Sequence, residues 1–230
     1  MSAQQLWDSA ASMLAATEKH PFLVGMVDGT LSNDSFKHYI VQDALYLVRD
    51  FAYCLRRLAE SAGSEEDSKQ LQASAIGAIE AEMMLHNSLF KEWDIISAEG
   101  AEQMPHTLLY TSYLKRVVAT RSHKQGLAAL LPCHWVYMHV GRKCLLKLRE
   151  GLGECINRPP QFDAWIDMYG GDDVEGKVKA YIKLVDAECK VATADELKEM
   201  EEHFNMCCKL EHMFWDQASN QMEWPNLGGI

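Results

Sequence analysis

The chain has 230 residues, of which 48% are hydrophobic and 24% are charged, and its formal net charge is -11. The acidic charge argues against nucleic acid or an anionic membrane as the main partner, since both bind basic surfaces. No apolar run approaches the roughly 20 residues that span a bilayer, and the start, MSAQQLWDSAASML, lacks the basic lead and apolar stretch of a secretory signal. We therefore expect a cytoplasmic globular protein.

The cysteines do not suggest a structural framework. There are seven, and an odd number at irregular spacing, without a signal peptide, is a poor disulfide pattern. No CxxC pair is present, so a zinc site has little support. Most of these thiols are expected to be small buried hydrophobic groups.

The first half of the chain has helical periodicity. A long run follows the capping residues at Ser32, with apolar side chains at three- and four-residue steps. After the polar break GSEEDS, a second run extends from Lys69 to Trp93. Pro105 is suited to begin the next helix. Another run covers about Lys124 to Arg149 and is closed by Gly151 and Gly153.

The second half continues the same pattern. PPQFDAWIDMYGGDD predicts a short helix ended by Gly170 and Gly171, and further helices are predicted near Val174 to Cys189 and from Ala194 to about Asn220. Alternating strand patterns and hairpin signals are missing. We predict one all-α domain over residues 1–230, with seven or eight helices and ligand sites between them.

One cysteine lies in an unusual helical string, LAALLPCHWVYMHVGR. Pro132 has no N–H, so it either starts a helical segment or leaves a carbonyl one turn earlier without its partner. Cys133 and Tyr137 are four residues apart and share a helix face. The Cys133 thiol is either a packing group or a nucleophile.

Two carboxylates lie among large apolar residues, which is costly unless they find a donor or a ligand. Asp43 occurs in HYIVQDALYLVRDF, where a helix–helix salt bridge or a water-facing edge is the alternative interpretation. Glu211 occurs in NMCCKLEHMFWD, where the alternative is an exposed turn beside Lys209 and His212.

A metal site has weaker support. Glu80, Glu82 and His86, in AIEAEMMLH, could hold an ion, but a solvated face or a helix–helix hydrogen bond is the commoner arrangement. None of the nine histidines has an acid three residues before it, as di-iron bundles require, and HExxH is absent.

Four tyrosines fall on helices that could line a shared cavity: Tyr46, Tyr110, Tyr137 and Tyr169. Aromatic residues at helical spacing usually belong to the core, but a buried tyrosine hydroxyl needs a partner. Hydroxyls around a thiol and two acids suit a planar, nitrogen-rich ligand. A glycine-rich phosphate loop is lacking.

Taken in order, several strings resemble the TenA family, which comprises thiaminase II and the aminopyrimidine aminohydrolases. They are HPFLVGMVDGTLSNDSFKHYIVQDALYL, EAEMMLH, YTSYLKR, LAALLPCHWVYMHVG, MYGG, and LEHMFWD with the terminal EWP. The resemblance covers almost the full chain and implies a haem-oxygenase-like helical bundle, assembled as a homotetramer.

The resemblance also implies roles for single residues. Cys133 would be the nucleophile of the cysteine-containing branch, Asp43 the acid that anchors the pyrimidine, and Glu211 the acid that protonates the leaving group. The pocket-lining positions would be Tyr46, Tyr110, Tyr137 and Tyr169. Cys133 would need a lowered pKa, from a helix N-terminal position after Pro132 or from a polarising neighbour. His134 departs from the family's pattern, which bears on substrate preference.

The reaction implied is hydrolysis of 4-amino-5-aminomethyl-2-methylpyrimidine to the hydroxymethylpyrimidine and ammonia by covalent catalysis, with slower cleavage of thiamin and no metal or organic cofactor. Two alternatives stay open. One is a haem or iron oxidoreductase on the same scaffold, for which His20 is the candidate axial ligand. The other is a non-catalytic, pyrimidine-binding regulatory protein.

Overall fold

The computed structural model describes residues 1–92, 100–152 and 156–226; the side chains of residues 81, 82 and 84–92 lie outside this description. Within the described residues there are twelve α-helices, two π-helical segments and no strand, which confirms the predicted all-α class. The helices outnumber the seven or eight predicted, because the N-terminal region is broken into short pieces and two long runs change pitch.

Three short helices precede the first predicted run. They are α1 (Ala3–Ser9), α2 (Ala11–Thr17) and α3 (Pro21–Asp28). Pro21 occupies the first turn of α3, where a missing N–H costs nothing, and Gly29 ends the helix with a left-handed φ of 79°. These pieces are too short to show a clear apolar period.

The first long run is α4 (Asn33–Ala44), a π-helical segment (Leu45–Phe51) and α5 (Ala52–Glu60). The Ser32 hydroxyl accepts a hydrogen bond from the Ser35 N–H, which confirms the predicted cap. The wider π turn is a feature often found at functional sites. The next helix, α6 (Glu65–Glu92), begins four residues before its predicted start at Lys69.

The central helices follow the prediction and decide between the two alternatives for Pro132. They are α7 (Pro105–Thr120) and α8 (His123–His139), which continues through a second π-helical segment (Val140–Leu145) into α9 (Leu146–Leu152). Pro132 lies inside α8 and does not start a helix. Since proline has no N–H, the carbonyl one turn earlier loses its usual partner.

The last three helices match their predicted positions closely. They are α10 (Pro160–Gly170), α11 (Asp172–Val191) and α12 (Ala194–Ser219). Thr193 forms a capping box at the start of α12, because its hydroxyl accepts from the Glu196 N–H while the Glu196 side chain accepts from the Thr193 N–H.

Helix α12 is the central element of the packing. It lies against α8 along much of its length and also contacts α7, α4 and the three N-terminal helices, while α11 packs on another side of α8. The core contains Trp165 of α10 and Trp215 of α12, both fully buried. Helices α4 and α8 both pack against α12, which brings the polar residues Asp43 of α4 and Cys133 of α8 to one cavity.

A glycine allows one close contact that positions the site. A Cβ at Gly141, in the second π-helical segment, would lie 2.8 Å from the Tyr169 backbone carbon and 2.9 Å from the Gly170 nitrogen. Such distances are sterically forbidden, so only glycine lets this segment approach α10. The approach holds Tyr169 near Tyr137 of α8.

The six cysteines within the described residues are all free thiols, and Cys155 lies outside them. In the same part of the chain, none of the helices has the length and apolar character needed to cross a membrane.

Candidate active site

A cavity of about 320 Å³ opens between α8, α10, α11, α6 and the π-helical turn after α4. Its volume is at the lower end of the range of roughly 300–1,000 Å³ for small-molecule pockets. Five residues predicted from the sequence line it: Asp43, Tyr46, Cys133, Tyr137 and Tyr169. The folding of the chain thus brings together groups from three helices and a π-helical segment.

Cys133 and Tyr137 reach the cavity from one face of α8, as their spacing predicts. Cys133 is 8% exposed, so its thiol is largely shielded from solvent but open to the cavity. It lies in the interior of α8, and the expectation that it sits at a helix N-terminus is therefore wrong. Its polar neighbour is the Tyr46 hydroxyl.

Asp43 lies in the cavity wall and is 2% exposed, so the water-facing alternative for this residue is wrong. It is near enough to Glu211 that its negative charge helps to raise the Glu211 pKa. A buried carboxylate at a cavity surface suits a ligand with N–H donors, because charge-assisted hydrogen bonds are stronger than neutral ones.

Glu211 is buried, with 1% of its surface exposed, so the exposed-turn alternative is also wrong. The Tyr110 hydroxyl donates a hydrogen bond of 2.6 Å to its Oε1. Burial raises the Glu211 pKa to about 8; Asp43 adds to this rise, and the hydrogen bond from Tyr110 opposes it. At neutral pH the side chain therefore carries a proton in most molecules.

Glu211 and Tyr110 lie one layer behind the cavity, since the described lining residues include Tyr46 but neither of these two. The Tyr46 and Tyr110 rings are 5.0 Å apart, and the Tyr46 hydroxyl lies beside both Tyr110 and Cys133. The Tyr46 hydroxyl oxygen is buried, and among the described residues its contacts with these two groups fall short of a hydrogen bond of ordinary geometry. A row of polar groups thus connects Glu211 to the thiol.

The buried tyrosines are neutral donors. Burial raises the pKa of Tyr46, Tyr110 and Tyr137 well above the ordinary value. Tyr137 also lies against Tyr169, with ring centroids 5.0 Å apart. The arrangement offers flat aromatic surfaces and hydroxyls to a planar ring.

Of the possible metal ligands on α6, only Glu80 has a described side chain. Glu80 is exposed and does not line the cavity, while the side chains of Glu82 and His86 lie outside the described residues.

His20 is engaged in hydrogen bonds at both ring nitrogens. Its Nδ1 accepts from the Phe22 N–H at 3.1 Å, and its Nε2 lies 3.1 Å from Asp216 Oδ1. With Nδ1 as acceptor, the proton belongs on Nε2 and is directed at Asp216. This geometry leaves no nitrogen for haem, and it disfavours the oxidoreductase alternative.

Several lining residues were not among the predicted site residues. They are Gln70 and Ser74 of α6, Lys177 of α11 and His134 of α8. Burial lowers the His134 pKa to about 4, so its imidazole is neutral. The small residues in QASAIGA were a signal in the sequence for open space beside α6. Nothing in the sequence distinguishes Lys177 from other surface lysines.

Comparison with solved structures supports the fold. A domain described as having a heme oxygenase-like fold, from Shewanella denitrificans OS217, matches with a TM-score of 0.71 and 14% identity, over 96% of this chain and 93% of that one. A TenA homologue from P. horikoshii OT3 matches with a TM-score of 0.83 and 22% identity, over 94% and 97% of the two chains. The predicted haem-oxygenase-like bundle is thereby confirmed.

Sequence comparison identifies relatives over nearly the whole chain. The protein named aminopyrimidine aminohydrolase in Bacillus subtilis strain 168 is 32% identical over 220 residues, which is 95% of this chain and 89% of that protein. The family model described as TENA/THI-4/PQQC matches residues 2–221. The chain therefore belongs to the TENA/THI-4/PQQC family.

Proposed function

We propose that this protein is a thiamin-salvage hydrolase that converts 4-amino-5-aminomethyl-2-methylpyrimidine to the hydroxymethylpyrimidine and ammonia. The observation that carries the proposal is the row formed by Cys133, Tyr46, Tyr110 and Glu211, in which a thiol at the cavity is connected to a buried acid of raised pKa. The name of the B. subtilis relative points to the same reaction.

Binding would use the polar and aromatic walls of the cavity. The Asp43 carboxylate accepts hydrogen bonds from the ring or amino nitrogens of the pyrimidine, and the Tyr137 and Tyr169 rings pack on its flat faces. Because these groups come from α4, α8 and α10, the orientation of the ring is set before reaction.

Covalent addition would start the reaction. The Cys133 sulfur adds to an electron-poor carbon of the pyrimidine while the thiol proton passes to a ring nitrogen. The ring loses its aromaticity, and its electron pair then expels the amine from the 5-methylene carbon. Water adds to the exocyclic methylene so formed, and loss of the thiol restores the ring. The sum is one water consumed and one ammonia released.

Departure of the amine needs a proton, because the amine is a basic leaving group. Glu211 supplies that proton through Tyr110 and Tyr46: the Tyr110 O–H turns from Glu211 toward Tyr46, the protonated Glu211 then donates to the Tyr110 oxygen, and Tyr46 passes a proton to the amine as it receives one from Tyr110. This relay suits the position of Glu211, one layer behind the cavity, and its raised pKa. The chemistry uses side chains alone and needs no metal or organic cofactor.

We further propose that the chain forms one cytoplasmic domain and assembles as a homotetramer. Support for assembly comes from exposed apolar side chains on adjacent helices: Leu108 and Leu109 of α7 are 42% and 48% exposed, and Met206 of α12 is 39% exposed. The free thiols accord with a reducing compartment.

The test is ammonia release from the aminomethylpyrimidine by wild type, Cys133→Ser and the control Cys189→Ser. We expect Cys133→Ser to lose turnover by orders of magnitude while its helical circular dichroism and its affinity for the hydroxymethyl product remain. Cys189 is buried on α11 and does not line the cavity, so its variant should stay active. Substantial turnover by Cys133→Ser would assign the chemistry to another group.

A further inference from the structure

The cavity extends beyond the groups assigned to catalysis into a slot between α6 and α11. We call this the outer slot and define it by Gln70, Ser74 and Gly77 of α6, His134 of α8 and Lys177 of α11. Nothing in the reaction with an aminomethylpyrimidine uses these residues. The outer slot is therefore space that a larger substrate could occupy.

The slot is open because α6 presents small side chains to it. Ala73, Ser74, Gly77 and Ala78 all line the cavity. A Cβ placed on Gly77 would meet only the Lys177 Nζ, and that at 4.0 Å. A chain of atoms leaving the inner cavity can therefore pass between the two helices.

Two residues that line the slot each carry a buried nitrogen without a hydrogen bond. Among the described residues, neither Gln70 Nε2 nor His134 Nε2 has a partner. The His134 ring is held in place by Tyr181 and Phe51, at centroid distances of 4.3 and 5.2 Å. A buried polar group without a partner is costly, so a ligand that supplies an acceptor would be favoured.

The rim of the slot carries a cation. Lys177 is exposed, and within the described part of the chain no carboxylate lies within salt-bridge distance of its Nζ. Of the neighbouring acids on α11, Glu175 pairs with Lys179 and Arg142, and Asp172 pairs with Arg142. Asp173, four residues before Lys177, is exposed and forms no salt bridge with it within the described residues. The charge of Lys177 is thus available to an anion.

The slot is continuous with the leaving-group side of the catalytic cavity. Tyr46, the last hydroxyl of the proton relay, is 5.7 Å from Phe51 between ring centroids, and Phe51 is 5.2 Å from His134. All three residues line the same cavity, so a substituent that starts beside Tyr46 can extend along Phe51 toward His134.

We propose that Gln70, His134 and Lys177 form a second subsite, which binds an acceptor-bearing and preferably anionic tail on the leaving group of the pyrimidine substrate. The inference rests on the proposed function, because it takes the leaving group to depart beside Tyr46. In this proposal the outer slot selects among leaving groups, and the residues around Cys133 carry out the reaction.

Three substrates test the subsite: the aminomethylpyrimidine without a tail, thiamin with a hydroxyethyl tail, and thiamin monophosphate with an anionic tail. In wild type we expect kcat/KM for the monophosphate to exceed that for thiamin by about fivefold at low salt, and the excess to shrink as salt is added. Lys177→Met should abolish this excess. The matched control is Lys179→Met, which removes a lysine of the same helix that pairs with Glu175.

Gln70→Leu tests the buried donor. It should lower the ratio of kcat/KM for thiamin to that for the aminomethylpyrimidine by about tenfold, since the tail loses a hydrogen bond. Gln72→Leu is its control, because Gln72 is exposed on α6 and bonds only Ser68 among the described residues.

The outcomes separate the two proposals. If wild type releases ammonia but Lys177→Met and Lys179→Met show the same monophosphate-to-thiamin ratio as wild type, the subsite is wrong and the hydrolase stands. If wild type releases no ammonia, the hydrolase is wrong, and calorimetric titration with thiamin and thiamin monophosphate decides the subsite. Equal affinity for the two ligands in wild type would overturn it, and tighter binding of the monophosphate that Lys177→Met removes would support it.

Discussion

Two buried acids of this protein, Asp50 and Glu211, differ in their surroundings although they are equally hidden from solvent. Asp50 is 2% exposed and lies in the first π-helical segment. It forms ion pairs with Lys115 and Arg49, and Gln103 Nε2 donates a hydrogen bond of 2.7 Å to it. Its negative charge is compensated from three directions.

Glu211 is 1% exposed, and its neighbours give no such compensation. Within the described residues its hydrogen bond comes from the neutral Tyr110 hydroxyl, and the nearby charge is that of another acid, Asp43. The pKa of Glu211 is raised to about 8 as a result. The comparison shows that burial alone does not decide the role of a carboxyl group. Asp50 is paired with cations and is structural. Glu211 has no cation beside it among the described residues and can hold and give a proton.

The largest expected effect is the loss of activity in Glu211→Gln. Glu211→Gln keeps the size of the side chain but removes the transferable proton, so kcat/KM for the aminomethylpyrimidine should fall by about 10²–10⁴-fold. Thiamin cleavage should suffer less, because its thiazolium leaves as a neutral ring without needing a proton. Steady-state kinetics with both substrates provides the measurement.

Tyr46→Phe is the companion variant for that experiment. If Glu211 acts through Tyr110 and Tyr46, this variant should show the same preference for thiamin as Glu211→Gln. An equal loss for both substrates in Glu211→Gln would mean that Glu211 acts before departure, for instance by activating Cys133, and the contrast with Asp50 would then be wrong.

A second prediction concerns the stability of the fold against pH. The Glu211 pKa is about 8 in the folded protein against an ordinary value of 4.5. The folded state therefore binds this proton more tightly, and the stabilisation is fully present below pH 4.5 and is lost as the pH rises through about 8. The free energy of unfolding of wild type should decline over this window by a few kcal/mol at most.

Urea unfolding of wild type and Glu211→Gln at a series of pH values measures that decline. The variant should lack the part that comes from Glu211, since glutamine does not titrate, while other groups contribute equally to both proteins. Parallel curves for the two proteins would show that Glu211 titrates near its ordinary value.

The smallest expected effect is that of Asp50→Asn. It removes the charge between Lys115 and Arg49, whose side chains are 43% and 57% exposed and can be solvated by water instead. We expect a loss of about 2 kcal/mol in the free energy of unfolding, with kcat/KM close to wild type under native conditions. A kinetic defect as large as that of Glu211→Gln would show that the two acids do not differ in role as proposed.

Most of the helical architecture could be predicted from local patterns. The cap at Ser32 and the helix starts at Pro105 and Ala194 lie where the sequence predicts them, because capping and apolar periodicity act within one or two turns. The short N-terminal helices and the two π-helical segments could not be predicted, since their breaks and changes of pitch depend on packing against α12 and α10.

The candidate site also has features that the sequence predicts and features that only the fold shows. The shared face of Cys133 and Tyr137 follows from a four-residue spacing, and the family resemblance follows from strings along the chain. The burial of Asp43 and Glu211 could be established only from the structure, because carboxylates among apolar residues in the sequence also occur at partly exposed positions. For Pro132 the sequence left two alternatives, a helix start or a carbonyl without its partner, and its place inside α8 selects the second.

By itself, then, the sequence determined the helices, the thiol–tyrosine face and the family, all of which depend on residues close together in the chain or on whole strings of them. Only the tertiary structure decided which buried acid is paired: Gln103, which binds Asp50, is 53 residues from it, and Tyr110 is 101 residues from Glu211. It also placed Lys177 across an open slot from Gly77. The physical reason is that periodicity is local, whereas desolvation and charge pairing depend on every element that packs around a group.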